Sequence, residues 1–390
     1  MNKEKTTISA VKDSTRNIVY GPERINNTFR DFCQTLYSPQ INPSDIEINE
    51  FLDRIILPKL SDSQATVLDS PLTSAELQEA LKSMPNRKAP GPDGFPAEFY
   101  KEFWIILAPV FFRMVREIKE SGRQPNINSA NISLLLKPGK DPAFPTSHRP
   151  ISLINVDLKI ICKALAKRLE KVTPFIIHPD QTGFIKGRQS STNPRRLLNL
   201  TDFSYSKIIE TSILSLDAEK AFDRVKWKFL FATLHKFGFG NFFINWLQTL
   251  YSSPTARVRT NDQISASFCL QRGTRQGCPL SPSLFAIFIK PLAAAIRQTT
   301  DIKGIECKKI EHKISLYADD VLLFLQNSQS SLSHSIKLIN SFSRVSDYSK
   351  KWLTSTVLPI NFSFVNLHNT QLESGNITYL GINSLPSWQI

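Results

Sequence analysis

Residues 314–325 read ISLYADDVLLFL: two short apolar runs that meet at Tyr317-Ala318-Asp319-Asp320. Each run has the length of a strand, and the polar pair between them marks a tight hairpin. Adjacent carboxylates are poor core material but good ligands for a hard divalent cation such as Mg²⁺. Enzymes that join nucleotides hold the attacking and leaving oxygens between two such ions. The plainer reading is a solvated turn, to which Asp is well suited; the apolar flanks on both sides speak against it.

Two ions need a further carboxylate. Residues 212–227, SILSLDAEKAFDRVKW, place Asp217 at the end of an apolar strand. There it reads equally as a metal ligand facing a cleft or as an N-cap. Asp223 reads as a cap for a helix starting near Trp227. Phe222 is either ordinary core or a ring that excludes a ribose 2′-hydroxyl. Residues 272–289, RGTRQGCPLSPSLFAIFI, form a glycine-punctuated loop before a helix. Gly273 and Gly277 let backbone approach a ligand, and Arg275 and Gln276 carry donors for phosphate or a base pair. Lys137, Lys140 and Arg149 sit around turns, where cations can neutralise a triphosphate. Lys163, Lys167 and Arg168 ride a helix and can follow a nucleic-acid backbone, although a solvated face explains them as well.

The whole chain is basic: 48 Lys and Arg against 34 Asp and Glu give +14 over 390 residues. That excess suits a polyanionic partner, and the length allows two or three subdomains. Five cysteines without a C-x-x-C pair argue against a zinc site or a disulfide framework and for a reducing compartment. The polar N-terminus is no signal peptide, and the longest apolar stretches are too short for a bilayer. The expected location is therefore intracellular, nuclear or cytoplasmic, with no membrane partner.

Helical spacing of Ile25, Phe29, Phe32 and Leu36 predicts an N-terminal helix. Thr73-x-x-Glu76 reads as a capping box. Further helices are expected from Pro96 to about Ser121 and over residues 156–171, 227–237, 243–251, 279–297 and 332–345. Strands are expected at 132–136, 213–217 and 377–382, with a hairpin over 258–270 that turns at Asn261-Asp262. Strands joined mostly by turns, alternating with helices, predict an α+β fold with an antiparallel sheet.

The stretches RKAPGPDGFPAEFY, HRPISLINVDLKIICKALAKRL, HPDQTGFIKGR, SLDAEKAFDRV, GTRQGCPLSP, YADD and ITYLGI follow one another from Arg87 to Ile382. In this order they resemble the reverse transcriptase domain of non-LTR retrotransposons of the LINE type. The resemblance implies a right-hand polymerase with fingers and a palm around an antiparallel sheet. It implies two Mg²⁺ ions, with Mn²⁺ as a substitute, and an RNA template, a DNA primer and dNTPs as partners; oligomeric state stays open. Catalytic, metal-binding aspartates fall at Asp217, Asp319 and Asp320, and a sugar-discriminating ring at Phe222. Arg149, Gln276 and Gly277 join Lys137 as nucleotide-binding residues. His178, Asp180, Gln181, Gly183 and Phe184 match an insertion that engages template; with Arg188 and Tyr317 they make the expected nucleic-acid contacts. Asp223 matches an aspartate of structural role.

Residues 346–361, SDYSKKWLTSTVLPIN, depart from the family pattern. Asp347 stands where the family usually has glycine, and Lys350, Lys351 and Thr354 interrupt a place that usually carries a further Lys. A cation missing there would weaken protonation of leaving pyrophosphate. The expected layout is a helical or linking region over 1–85, a fingers extension over 86–117 and the reverse transcriptase domain over 118–386. The thumb is expected to be largely missing, as are the family's endonuclease and Cys/His region. The expected function is RNA-directed DNA polymerase. The alternatives are a truncated, inactive remnant that only binds nucleic acid, and an RNA-templated RNA polymerase, against which Phe222 argues.

Overall fold

Two five-stranded sheets organise the chain, and both are mixed rather than purely antiparallel. The computed structural model describes residues 7–122, 127–361, 373–374, 377–380 and 382–384. The first residues of the polar N-terminus and Gly381 of ITYLGI lie outside them. The first sheet runs in the order Ile314–Tyr317, Asp320–Gln326, Thr211–Leu216, Thr356–Ile360, Glu373–Ser374. Its middle is antiparallel, with Val321 opposite Leu216 and Thr356 opposite Ser215, whereas Glu373–Ser374 runs parallel to its neighbour. Leu214, Leu216, Val321 and Leu323 belong to the main core. Ile213, Leu322, Phe324 and Leu358 belong to another core that includes Leu197 and Leu200. Burial on both faces is why these strands read as unbroken apolar runs rather than as alternation.

The second sheet runs His148–Ile154, Ser129–Leu136, Thr255–Thr260, Gln263–Ile264, and Phe268–Cys269 also pairs with Thr255–Thr260. The hairpin turn at Asn261-Asp262 is as expected: both residues have positive φ, 45° and 65°, as two-residue hairpin turns favour. Ser129–Leu136 and Thr255–Thr260 are parallel, with Ile132 opposite Val258. The expectation of antiparallel, turn-linked strands thus holds for the hairpins and fails here, because a parallel pair needs a long return connection.

Thr73 and Glu76 form the capping box that starts Ser74–Lys82: Glu76 N–H donates to Thr73 Oγ1 at 3.2 Å, and Thr73 N–H to Glu76 Oε2 at 2.9 Å. The helix expected to run from Pro96 is two, Ala97–Glu102 and Trp104–Ser121, meeting at Phe103. Val156–Ile176 is longer than expected and passes through Pro174. In Ser281–Gln298 every residue from Ser283 to Ile296 is buried, the mark of a central helix packed all round. Phe288 on it meets Phe229 at 5.7 Å and Phe342 at 5.8 Å between ring centroids. This core extends from Ile48 to Val357 and takes in Ala97, Trp104 and Phe111, so residues on both sides of positions 85 and 117 share it. A smaller core joins Pro22–Tyr37 to the second sheet, with Ile25, Phe29 and Leu36 beside Ile132 and Val258. No helix among the described residues is long and apolar enough to cross a membrane.

One buried ion pair ties these layers together. The side chains of Arg272 and Asp347 are 0% and 4% exposed and bonded to each other. Asp347 ends the helix Ser328–Ser346 in the left-handed region, φ 63°, which accounts for the glycine that the resembled family shows at this place. Its carboxylate also accepts Gln40 N–H at 3.3 Å, and Arg272 Nε donates to Leu36 O at 2.9 Å in the last turn of Pro22–Tyr37. Asp347→Asn keeps a residue that tolerates this backbone but leaves a buried guanidinium unpaired. Unfolding in urea is expected to show a loss of about 3–5 kcal/mol. Asp347→Gly should lose a similar amount even though it relieves the backbone.

Candidate active site

Strand register brings the first two carboxylates together. Val321 lies opposite Leu216, and one step further along the same antiparallel register Asp320 falls opposite Asp217. Asp319 sits in the turn between Tyr317 and Asp320. Its neighbour Ala318 has φ 55°, which costs a residue with a Cβ about 1 kcal/mol. Gln181 holds this turn with both ends of its amide: Oε1 accepts Ala318 N–H at 3.0 Å, and Nε2 donates to Ala318 O at 3.3 Å. Residues 180–183 run alongside the hairpin, with Leu316 N–H donating to Asp180 O at 2.9 Å and Thr182 N–H to Leu316 O at 3.0 Å. Gly183 comes so close that a Cβ there would lie 2.3 Å from Ala318 N.

Asp217 is held from the other side. Its N–H donates to Ser355 Oγ at 3.1 Å, its carbonyl accepts Lys351 N–H at 2.8 Å, and its carboxylate accepts the Thr354 hydroxyl. Asp217 therefore caps no helix. Burial, and then the charge of Asp217, hold Asp319 above the ordinary carboxylate range. Burial, followed by the charges of Asp319 and Asp217, raises Asp320 to about 6.

The aspartates front a cleft of about 550 Å³. Lys137, just past Ser129–Leu136, and Arg149, on His148–Ile154, line it as well. Burial and the nearby charges of Lys351 and Arg149 lower the Lys137 pKa. Phe222 lies in the cleft, stacked on Phe285 with centroids 4.4 Å apart and met edge-on by Phe184 at 5.9 Å. Gln276 and Gly277 complete the set. Their loop is sewn to the Phe222 turn: Gly273 N–H donates to Val225 O at 2.8 Å and Thr274 N–H to Phe222 O at 2.7 Å. A Cβ on Gly273 would lie 2.7 Å from Asp223 O, and one on Gly277 2.9 Å from Ser152 O. Both glycines admit the protein's own backbone at close range, and Gly277 lines the cleft as well.

Several residues read from sequence take other places. Asp223 does not cap the helix Trp227–Lys236, whose N-cap is Lys226. It is fully buried instead, accepting Tyr37 O–H at 2.9 Å and Gln276 Nε2–H at 2.8 Å. Arg275 is buried and donates to Asn128 and to Leu250 O. Arg168 is buried rather than lying on a helix face, bonded to Glu76 and to the carbonyls of Leu68, Ser70 and Pro71. Lys167 pairs with Glu79. Arg188 donates to the carbonyls of Pro174, Ile177, His178 and Gln181. His178 bonds Asp180 at 2.9 Å, and Tyr317 packs half-buried against the core that includes Leu197 and Leu322. Phe184 stays exposed beside Phe222, with φ 63°.

Sequence reading passed over Lys220. It adopts a left-handed backbone, φ 46°, lines the cleft, and donates from Nζ to His148 O at 2.8 Å. Burial lowers its pKa to about 8. The lysine is visible in SLDAEKAFDRV, but nothing in that spacing foretells the backbone reversal that turns it inward.

Among the described residues no group of three or more His, Cys, Asp or Glu side chains is arranged to hold a metal ion. The three aspartates front an open cleft instead. That donor set suits a hard cation whose shell is completed by substrate phosphates and water.

Residues 135–383 match the family described as reverse transcriptase (RNA-dependent DNA polymerase). The chain is similar to an uncharacterized 149 kDa protein of transposon TX1 from Xenopus laevis, at 34% identity over 98% of this chain and 29% of the relative. It is similar to a retrovirus-related Pol polyprotein from type-1 retrotransposable element R2 of Popillia japonica, at 27% over 66% of this chain and 35% of the relative. A probable RNA-directed DNA polymerase from transposon BS of Drosophila melanogaster shares 25% over 77% of this chain and 32% of its own length. The chain thus spans about a third of the length of these relatives.

The crowding of carboxylates has a measurable cost. Asp320 rises from an ordinary 3.8 to about 6 on folding, so above that pH the folded state carries a charge it disfavours. Without divalent ions, Asp320→Asn is expected to melt higher than the wild type at neutral pH. Its advantage should shrink as pH falls through about 6 and vanish below about 4, where Asp320 is protonated in the folded and unfolded states alike.

Proposed function

We propose that this chain, which belongs to the reverse transcriptase family carried by non-LTR retrotransposons, uses its cleft to add deoxynucleotides to a DNA primer on an RNA template. The observation that carries this reading is the meeting of Asp217, Asp319 and Asp320 with Lys137 and Arg149 around one cleft. The three aspartates would hold two Mg²⁺ ions, or Mn²⁺ in their place. Bound there, the ions neutralise phosphate charge and make the primer 3′-hydroxyl more acidic. Lys137 and Arg149 receive the triphosphate, and Lys220, which also lines the cleft, adds a further cation. Lys351, whose charge is felt at both Lys137 and Lys220, supplies the cation that Thr354 does not.

Phe222 is backed by Phe285 and cannot retreat, so a ribose 2′-hydroxyl is excluded where a deoxyribose fits. Gln276, Gly277 and exposed Phe184 meet the template–nucleotide pair. Gln181, Gly183 and Arg188 act from behind, by fixing the turn and the segment that carries Phe184; His178 steadies that segment through Asp180. Tyr317 anchors the hairpin beside the template path. The barrier falls through positioning and electrostatics rather than covalent work by the protein. In this reading the sheet bearing Asp217 is the palm and the sheet bearing Arg149 belongs to the fingers. Residues 118–386 then form the polymerase domain, 86–117 a fingers extension and 1–85 a preceding region.

A primer-extension assay on an RNA template tests this. Mg²⁺-dependent incorporation of dNTPs is expected, and Asp319→Ala should lower it at least about 10³-fold. Phe222→Ala should raise rNTP use relative to dNTP use by about tenfold or more. Incorporation that survives Asp319→Ala would refute the assignment, and salt-sensitive binding without incorporation would favour a role in nucleic-acid binding alone.

A further inference from the structure

Asp223 is a carboxylate with no exposed surface. Among the described residues its side chain has two hydrogen-bond partners, Tyr37 Oη at 2.9 Å and Gln276 Nε2 at 2.8 Å. Burial raises its pKa to about 7; above that pH the ionised carboxylate only accepts, and the polarity of both bonds is fixed. Tyr37 gives its proton, and Gln276 must turn its amide nitrogen inward. The atom of Gln276 left for the cleft is then its carbonyl oxygen. The main chain of Gln276 is held too, since its carbonyl accepts Ser152 N–H at 2.8 Å. Tyr37 ends the helix Pro22–Tyr37, outside the family-matched residues 135–383.

We propose that Tyr37 and Asp223 are positioning residues that present Gln276 to the incoming nucleotide with its carbonyl oxygen outward, which makes the Pro22–Tyr37 helix part of the nucleotide site. The inference rests on the reading of the cleft given above. It differs from a merely structural role for Asp223 in one consequence: amide direction, not only stability, governs substrate binding.

Hydrogen-bond polarity supplies the test. In Asp223→Asn, Tyr37 keeps its donated bond only if Oδ1 accepts it, which turns Nδ2 to Gln276 and makes that amide reverse. Adding Tyr37→Phe removes the competing donor. The introduced side-chain amide can then turn its oxygen back toward Gln276 and restore the original direction. The full 390-residue chain is assayed well above pH 7, where Asp223 is ionised, by steady-state primer extension on an RNA template, alongside thermal melting. Asp223→Asn should raise KM for dNTP about tenfold, with kcat changed less than about threefold. The double variant Tyr37→Phe/Asp223→Asn should regain most of that loss although it melts no higher. Tyr37→Phe alone leaves the carboxylate one bond short and should raise KM about threefold, which decides the matter if Asp223→Asn does not fold.

A second measurement separates this inference from the reading on which it rests. Trp227 Nε1 donates to Gly273 O at 2.9 Å in the same loop as Gln276, so tryptophan fluorescence can follow Mg²⁺–dNTP binding without extension. The same order of affinities is expected. Wild-type activity with an unchanged KM in the single variants, or a double variant worse than Asp223→Asn, would overturn the positioning role and leave the polymerase reading intact. A wild type that binds dNTP without extending would remove the polymerase reading, while the titration still decides the positioning role. A wild type that neither binds nor extends would remove both.

Discussion

Three carboxylates crowded at the ends of neighbouring strands repel one another, and much of the molecule is arranged to keep them there. Burial and mutual charge push Asp319 and Asp320 upward, so the site stores unfavourable energy that a cation would release. An isolated hairpin could relieve it by slipping. Here a one-residue slip would exchange the two faces of the strand. Both faces are buried, with Val321 and Leu323 in one core and Leu322 and Phe324 in another. The register therefore holds Asp320 opposite Asp217. Gln181 fastens the turn, and residues 351–355 fasten Asp217, so both acidic segments are tied from outside their own strands.

The departures from the family pattern make physical sense within that arrangement. Asp347 occupies a left-handed position suited to glycine, and the buried bond to Arg272 offsets the strain. Arg272 begins the loop that continues to Gln276, so the helix end at Asp347, the Pro22–Tyr37 helix and the cleft loop share one anchor. Thr354, in the interrupted stretch, carries a hydroxyl short enough to bond Asp217 directly. A lysine there would put a charge next to the carboxylate; the threonine keeps that carboxylate in place without neutralising it.

The hairpin, its carboxylates and the strand ending at Asp217 were legible because apolar runs and acidic breaks are local signals. The cleft residues Lys137, Arg149, Phe222, Gln276 and Gly277 were legible from ordered motifs. Their mutual distances were not, because these depend on how two sheets are joined. The parallel pairing of Ser129–Leu136 with Thr255–Thr260 escaped notice because neither strand carries a mark of its distant partner. Asp223 was misread for a related reason. An acidic residue shortly before a helix looks like a cap, and its real partner, Tyr37, lies 186 positions away. Lys220 was hidden by a backbone reversal that a non-glycine residue does not advertise.

Charge is where composition misleads most. A net charge of +14 suggests a broad cationic surface, yet Arg168, Arg188, Arg272 and Arg275 all donate to main-chain carbonyls at or near helix C-termini. The reason is general: a helix ends with carbonyls that have no partner within it, and a guanidinium carries five donors in a fixed fork. Where a helix end is buried and no glycine closes it, arginine can satisfy several acceptors at once. These arginines serve the fold and are not free to neutralise phosphate. Lys137, Arg149 and Lys220 differ from them in lining the cleft beside the aspartates. In the proposed function, attraction for a nucleotide rests on a few cations positioned near three carboxylates, and the overall charge is a poor guide to which ones they are.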